Sequence, residues 1–456
     1  MILKELLAST PVFEIRGSGQ RKIEGLAIDL EDIRQNYLYI YIQNRDDMSY
    51  EDIIKKAIDL GATAICVGKE DKILDYDTTF IRTYNIKRFL SAVTKNFYRN
   101  PSQGINMTGI TGSHGKTTIG IMIRSILKAA DVPTVMINKT SCQLGDEPPY
   151  ADEDSLNPMV FTKFLRRALD MGIERGILEC SYTTIIDERL RHIWFDSLIY
   201  TDLYTYFQNK ERDYHYLEIR KTLIDHLKHI KCPIIVNMDD YHAQQLENRH
   251  IVGYGVYGRQ TITAEDIVLM PDSSKFTIHT PRGSANITLG LAGLHNVYNA
   301  MAAIGWCVAE DVDFEHIKEG LEHLGDLDHL QEDVGITGNI SIQTHRFSSA
   351  SELPALIENL SESGDFNNRG IILSVPSCDD PTIYADIGHA LDEFGCYCIL
   401  TSDYEDRFSY GDGARNIARD MKNSTVHYEI DRYKALKKAR SFTKDGGSIT
   451  IMAQEN

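Results

Sequence analysis

The sequence predicts an α/β protein in three domains, on three observations. The chain has 456 residues, too many for one ordinary hydrophobic core and enough for two or three domains of roughly 100–200 residues. Short apolar runs of strand length alternate along it with segments whose apolar residues recur at three- and four-residue spacing, as strands and amphipathic helices do. One such strand enters a glycine-containing turn that opens a helix, the local arrangement of a phosphate-binding loop. The expected boundaries are residues 1–100, 101–333 and 334–456.

In the first domain Leu38, Tyr39, Ile40, Tyr41 and Ile42 read as a strand, residues 51–60 as a helix and residues 64–67 as a second strand. The second domain opens near Asn100-Pro101 with a strand over residues 104–110. From Thr117 a helix follows, because Ile119, Met122, Ile123, Ile126 and Leu127 fall on one face. Further strands at residues 176–178, 197–200 and 234–236, separated by helical stretches, complete a doubly wound, mainly parallel central sheet. After Val334 a Rossmann-like α/β series has strands at residues 370–375, 397–401 and 448–452, with helices at 351–360 and 433–440 among them. There is no internal repeat, low-complexity tract or long linker.

The formal charge of −18 opposes general attraction to nucleic acid or anionic lipid, so neither is an expected partner. No apolar run approaches the roughly 20 residues of a membrane span. The N-terminal Met-Ile-Leu-Lys-Glu-Leu-Leu has an early acid and no export pattern, which predicts a cytoplasmic protein. Eight cysteines with one close pair, Cys396 and Cys398, fit neither a zinc ribbon nor a disulfide framework. Reduced, buried thiols are expected.

The segment Thr111-Gly112-Ser113-His114-Gly115-Lys116-Thr117-Thr118 carries the clearest chemistry. Glycines let the backbone turn N–H groups toward phosphate oxygens, and the helix N-terminus adds positive potential. Lys116 reaches the outer phosphates and the Thr117 hydroxyl is a magnesium ligand. Gly112, Ser113, His114, Gly115, Lys116, Thr117 and Thr118 are therefore the candidate nucleotide site, with ATP and Mg2+ as cofactors. The pattern departs from G-x-x-x-x-G-K-[ST], because Gly109 comes one residue early and Ile110 fills the glycine position. It is a variant P-loop, G-x-T-G-x-x-G-K-T-T. A purely structural glycine turn is the competing reading, against which strand, loop, Lys-Thr and helix all agree.

With this loop the sequence resembles the Mur ligases, most nearly those that add the third residue to a UDP-N-acetylmuramoyl-dipeptide. Gly293-Leu-His-Asn-Val-Tyr-Asn-Ala-Met-Ala-Ala303 is similar to the family's adenine-holding G-x-[HF]-N-x-x-N-x-x-A-A, and Val236-Asn-Met-Asp-Asp240 to its strand-end V-N-x-D-D. Residues 23–67 look like its N-terminal domain, which receives a uridine nucleotide. The resemblance implies an ATP-dependent carboxylate–amine ligase that works through an acyl phosphate. Its partners would be a small carboxylate substrate, such as a UDP-muramoyl peptide of peptidoglycan biosynthesis, and an amino acid.

Carried over residue by residue, Glu179 in Glu179-Cys180-Ser181 takes the place of the family's magnesium-binding glutamate, while Ser181 and Asp29 take substrate-binding places. Lys221 falls where the family has a carbamylated lysine at a second magnesium, in the register that lays Thr201-Asp202-Leu203 on T-N-L. A small slip brings Lys210 or Arg220 there instead, and an exposed helical lysine is the plain alternative. His295, Asn296 and Asn299 either hold adenine or brace their helix.

The departures concern chemistry. The family's S-x-D-H-x-D-x-H is replaced by Tyr204-Thr-Tyr-Phe-Gln-Asn-Lys, G-R-x-E by His329-Leu330-Gln331-Glu332, and D-Y-A-H begins with Gln343. Thr401-Ser402-Asp403 continues as Tyr404-Glu405-Asp406 instead of asparagine-proline-arginine, and the terminal G-K-G-H-E is Ala453-Gln454-Glu455-Asn456. The D-S-R that contacts the uridine nucleotide is Asp29-Leu30-Glu31. These losses keep a second expectation open, a divergent nucleotide-binding homologue that has another substrate or serves partner binding without ligase activity. A simple ATPase or kinase fits the adenine segment less well.

Overall fold

The computed structural model describes every residue except 43–47, 113–114, 140, 152–154, 203–217, 241, 244–245, 247–249, 259, 271–272, 292, 325–340, 348, 362–368, 377–380, 395–396, 402–406, 430–431, 445–446 and 455–456. The described strands form three sheets. They fall into two compact units, the first running to Leu324 with the N-terminal and central sheets, the second holding the C-terminal sheet.

The first sheet contains β1 (Glu14–Arg16), β2 (Gly25–Ala27), β3 (Tyr37–Ile40), β4 (Ala62–Gly68) and β5 (Thr79–Thr83), in the order β1-β5-β4-β3-β2. All neighbours are parallel except β1 and β5. Both faces are covered, as a parallel sheet requires. Leu38, Ile40, Ala64, Cys66 and Ile81 enter one apolar cluster, and the alternate residues Tyr39, Ile65, Val67 and Phe80 enter the other. Ser49 caps the helix Tyr50–Asp59 by accepting from Asp52 N, and Asn85 caps Ile86–Phe97 through Arg88 N.

The central sheet contains β6 (Asn106–Thr111), β7 (Thr134–Ile137), β8 (Ser141–Leu144), β9 (Tyr150–Ala151), β10 (Arg175–Glu179) and β11 (Ser197–Tyr200). It continues with β12 (Ile234–Asn237), β13 (Ile251–Gly255), β14 (Ile262–Leu269), β15 (Ser274–Thr280) and β16 (Gly283–Leu289). Their order is β16-β15-β14-β13-β12-β11-β6-β10-β7-β8-β9, parallel from β14 to β7 and antiparallel at both ends. The chain leaves β6 for β7 on one side, returns to β10, then crosses to β11 on the other. Strand β6 therefore sits where the winding direction reverses, and in open α/β sheets a crevice forms at the carboxyl ends of the strands there. The antiparallel ribbons lie outside the parallel reading from sequence. Only Phe276 and Ile278 of β15 and Ile287 and Leu289 of β16 are buried apolar residues, among polar neighbours, so the alternation is short and weak.

The helix Lys116–Ala129 follows β6 directly and buries Ile119, Met122, Ile123, Ile126 and Leu127. The helix Leu294–Ala309 is tied to the middle of the sheet by Trp306. Its Nε1–H donates to Thr108 Oγ1 at 3.0 Å and Ser197 Oγ at 2.9 Å, joining the helix to β6 and β11. Within the same unit the N-terminal sheet is joined to the segment after β10. Lys87 pairs with Asp187, Arg88 with Glu188, and Ser91 Oγ donates to Arg189 O at 3.4 Å.

The second unit holds β17 (Ser341–Phe347), β18 (Arg369–Ser374), β19 (Tyr397–Thr401), β20 (Thr425–Tyr428) and β21 (Ser448–Gln454). They are parallel throughout, in the order β17-β21-β18-β19-β20. The helices Pro381–Phe394 and Arg407–Arg419 contribute Ile387, Leu391 and Ile417 to one apolar cluster, while Ala435 and Ala439 of Arg432–Phe442 join another with Ile372, Ile399 and Ile451. The departures at residues 204–210, 329–332 and 404–406 lie outside the described residues.

Trp306→Phe keeps the ring packing but removes the donor that Thr108 Oγ1 and Ser197 Oγ share, leaving those hydroxyls bonded to each other at 2.9 Å, and is expected to lower stability by about 0.5–1.5 kcal/mol. Urea unfolding followed by far-UV circular dichroism measures it, and an unchanged midpoint would deny the indole its anchoring role.

Candidate active site

The carboxyl ends of β6, β10 and β11 meet at the reversal of the sheet. Strand β6 delivers the loop, β10 delivers Glu179 and β11 delivers Thr201 and Asp202. Glu179 pairs with Ile110 in the ladder, two residues before Gly112, so a five-residue strand suffices to set the carboxylate beside the loop.

The loop closes on itself and on two neighbours. Gly112 has φ +143° and a Cβ there would stand 1.8 Å from Thr201 Oγ1; Gly115 has φ +80° and a Cβ there would stand 2.2 Å from Asn299 Oδ1. Both positions demand glycine for conformation and for space. Gly109, by contrast, lies within β6 and faces Leu198 and Phe195, which makes it a packing glycine and not part of the turn. Ser113 and His114 lie outside the described residues.

Lys116 Nζ donates to Gly112 O at 2.9 Å and so bends back over the loop. Thr117 Oγ1 donates to Glu179 Oε2 at 2.9 Å. Thr118 follows, half-buried, in the first turn of the helix. Glu179 is buried at 8% exposure, a carboxylate whose hydroxyl partner is Thr117. Magnesium with ATP fits this set. Thr117 and Glu179 are hard oxygen donors in contact, and a magnesium ion characteristically takes one or two protein ligands beside phosphate oxygens and water. No group of three or more His, Cys, Asp or Glu that could cage a metal occurs among the described residues.

Asn296 and Asn299 are buried and hydrogen-bonded to each other at 3.2 Å, so they brace the helix Leu294–Ala309 while Asn299 touches the loop. His295 is exposed beside Gly293 at the start of that helix. Asp239, from the strand-end Val236–Asp240 motif, accepts from Tyr298 Oη at 2.7 Å and from Val256 N at 2.7 Å. Burial, and after it the bond to Asp239, pushes the Tyr298 phenol up, so it stays a neutral donor. Asp239 is thereby a staple between β12, β13 and the helix.

Cys180 lies between Glu179 and Ser181, and its thiol is pushed up by burial first and by the Glu179 charge second. It is not a nucleophile at neutral pH. Ser181 caps the short helix Tyr182–Ile186, accepting from Thr184 N at 3.3 Å. Asp29 stands apart on the first sheet, half-buried at the turn after β2. Lys221 Nζ donates to Glu218 Oε1 at 3.0 Å at the start of the 3-10 helix Thr222–His226, so its ammonium already has a counter-ion. A carbamate there would face Glu218 as a like charge unless that side chain turned away.

Residues 110–307 match the Mur ligase middle domain. Over 99% of its length the chain is 27% identical to the UDP-N-acetylmuramoyl-L-alanyl-D-glutamate–2,6-diaminopimelate ligase 2 of Clostridium acetobutylicum, covering 94% of that protein.

Its central residues, 110–307, are a Mur ligase middle domain.

Solved structures share the fold. The UDP-N-acetylmuramoylalanyl-D-glutamyl-2,6-diaminopimelate–D-alanyl-D-alanyl ligase of Acinetobacter baumannii matches all of this chain and 95% of its own, at TM-score 0.71 and 16% identity. The Mycobacterium tuberculosis folylpolyglutamate synthase complexed with ADP matches 80% of this chain and 91% of its own, at TM-score 0.66 and 12% identity. This Mur ligase homologue thus shares its α/β architecture with both.

Three residues of this Mur ligase homologue carry more of the site than sequence alone reveals. Thr201 closes on the loop, Asp202 bonds Thr201, and Arg220 lies buried against Asp202. The available signal is Asp202 itself, an acid where the resembling motif has asparagine.

Gly115→Ala forces an alanine into a left-handed turn and against Asn299. Strain of about 1–2 kcal/mol corresponds to a loss of about tenfold or more in nucleotide affinity, which titration with a fluorescent ATP analogue measures. Unchanged affinity would remove the loop from the nucleotide site.

Proposed function

We propose that this chain is an ATP- and Mg2+-dependent carboxylate–amine ligase, acting through an acyl phosphate on a small carboxylate and an amino acid. The observation that carries the reading is the Thr117–Glu179 pair at 2.9 Å, set beside Lys116 on the glycine loop where the sheet reverses. A hydroxyl, a buried carboxylate and a lysine at one loop are what binding a metal-nucleotide needs.

In the proposed reaction a carboxylate oxygen attacks the γ-phosphorus of ATP and ADP leaves. The amine then attacks the acyl carbon, the tetrahedral species collapses, phosphate departs with the former carboxylate oxygen, and the amine loses a proton. Phosphoryl transfer depends on positioning and charge more than on covalent help from the protein. Lys116 would turn from Gly112 O to the phosphates, while the loop N–H groups hold them. Magnesium, held by Thr117 and Glu179, supplies charge neutralisation of the phosphates, and Lys221 in carbamylated form is the proposed holder of a second ion.

The Clostridium acetobutylicum relative is named for UDP-N-acetylmuramoyl-L-alanyl-D-glutamate and 2,6-diaminopimelate, so a UDP-muramoyl peptide is the first carboxylate to try. As an ATP-consuming step on such a precursor, the reaction belongs in the cytoplasm, and no helix among the described residues is long and apolar enough to cross a membrane.

One observation favours a second substrate class. At Asp29-Leu30-Glu31, Leu30 is buried in an apolar cluster and Glu31 is exposed, where a uridine diphosphate would profit from a hydroxyl and a cation. A carboxylate without a uridine diphosphate suits those residues better.

Mg2+-dependent ADP release from the full chain tests both readings, with UDP-N-acetylmuramoyl-dipeptide or non-nucleotide carboxylates and pooled amino acids, each omitted in turn. Release that needs both substrates, with the mass of a new amide, is expected, and Lys116→Ala should reduce it by about 100-fold or more. Nucleotide binding without release on any pair would favour the binding-protein alternative.

A further inference from the structure

Among the described residues the buried charged side chains are Arg124, Glu179 and Arg220. Arg124 donates to Gly145 O, away from the loop, and Glu179 belongs to the site already described. Arg220 is the most buried, at 2% exposure, and its guanidinium reaches Asp202 Oδ1 at 2.7 Å. Asp202 Oδ2 in turn accepts from Thr201 Oγ1 at 3.0 Å, and that same Thr201 oxygen occupies the space where a side chain at Gly112 would stand. Thr201 N donates to Thr111 O at 2.9 Å, closing the link on the residue before the loop.

The backbone around the pair is equally tied. Tyr200 Oη donates to Arg220 O at 2.9 Å, and Tyr254 Oη donates to Tyr200 O at 3.2 Å and Thr201 O at 3.4 Å. Burial pushes both phenols up, so they remain donors throughout the physiological range. A buried ion pair seldom adds stability over apolar residues of the same volume, because desolvating two charges offsets their attraction. Here Arg220 is the buried member, at 3% side-chain exposure against 26% for Asp202, and the place of the pair on a chain of contacts that ends at the glycine loop points to a task other than stability.

We propose that Arg220, acting through Asp202 and Thr201, is a positioning residue that holds the Gly112 turn of the phosphate loop in its nucleotide-receiving conformation. The guanidinium Nη1 holds Asp202 through Oδ1 at 2.7 Å and O at 3.5 Å, the carboxylate fixes the Thr201 hydroxyl, and the hydroxyl leaves Gly112 one backbone path. Asp202 and Arg220 form one device. The acid replaces the amide of the resembling T-N-L motif, and the arginine beside Lys221 supplies its counter-charge. Lys221, the next residue, bonds Glu218 Oε1 at 3.0 Å.

The proposal rests on reading residues 112–118 as the phosphate cradle, and the test separates the two. Wild-type protein, Arg220→Lys, Arg220→Met, Thr201→Val and Thr201→Val/Arg220→Lys are purified as full chains. Far-UV circular dichroism and thermal melting check their fold, and a fluorescent ADP analogue is titrated with and without Mg2+. Arg220→Met should weaken nucleotide binding about tenfold or more. Arg220→Lys keeps the charge and loses the planar guanidinium, and should retain part of the affinity, which covers the case in which the methionine variant does not fold. In the Thr201→Val background Arg220→Lys should cost less than about twofold more, because the link is already cut. Additive losses, or wild-type affinity in a folded Arg220→Met, would overturn the positioning role. Failure of the wild type itself to bind would instead overturn the cradle reading.

Discussion

Strand β6 lies between β10 and β11, and the carboxyl ends of those three strands carry the loop, Glu179 and Thr201. The crevice exists because the chain winds outward from β6 in both directions, so no crossing helix covers that end of the sheet. Groups remote in sequence come within hydrogen-bonding distance there, as Thr117 and Glu179 do. The parallel ladders fix them on rigid elements, which is why a short strand can present a buried carboxylate without a loop of its own.

Around that junction the loop is shaped from outside as much as by its own glycines. Thr201 fills the space at Gly112 and Asn299 the space at Gly115, so both turns are read by neighbours that admit no side chain. Asn299 itself belongs to a helix that Trp306 fastens to β6 and β11, and Tyr298 on the same helix fastens Asp239 beyond β12. The segment 293–303 and the glycine loop are thus parts of one braced assembly, the rigidity that the proposed nucleotide site would need.

The electrostatics run against the charge of the whole molecule. A chain of net charge −18 buries two arginines and one glutamate among its described residues, and the glutamate and one arginine lie at the carboxyl ends of the central strands or against them. Such charges persist where they are paired, as Arg220 is with Asp202, or where a ligand completes them, as a metal-nucleotide would complete Glu179. The six described cysteines are all buried, and burial pushes the Cys180 thiol up, which leaves oxygen and nitrogen chemistry at the site.

Much of this was legible in the sequence. Strand–glycine loop–helix over residues 104–127 is a local pattern, dictated by apolar periodicity and by glycine at turns, and the central strands at 176–178, 197–200 and 234–236 follow from their apolar runs. The polar antiparallel ribbon at the edge was not legible, because a half-exposed strand alternates too weakly to be read. The role of Glu179 beside Thr117 came from resemblance, and only the ladder of β6 and β10 set their contact. The sequence by itself determined the central parallel strands, the helix after β6 and the glycine turn between them, since those depend on neighbours a few residues away. Tertiary structure alone decided that Arg220 meets the distant Asp202, while Lys221, one residue and about 100° further round, keeps the local partner Glu218, because only the fold says which side of that turn is buried.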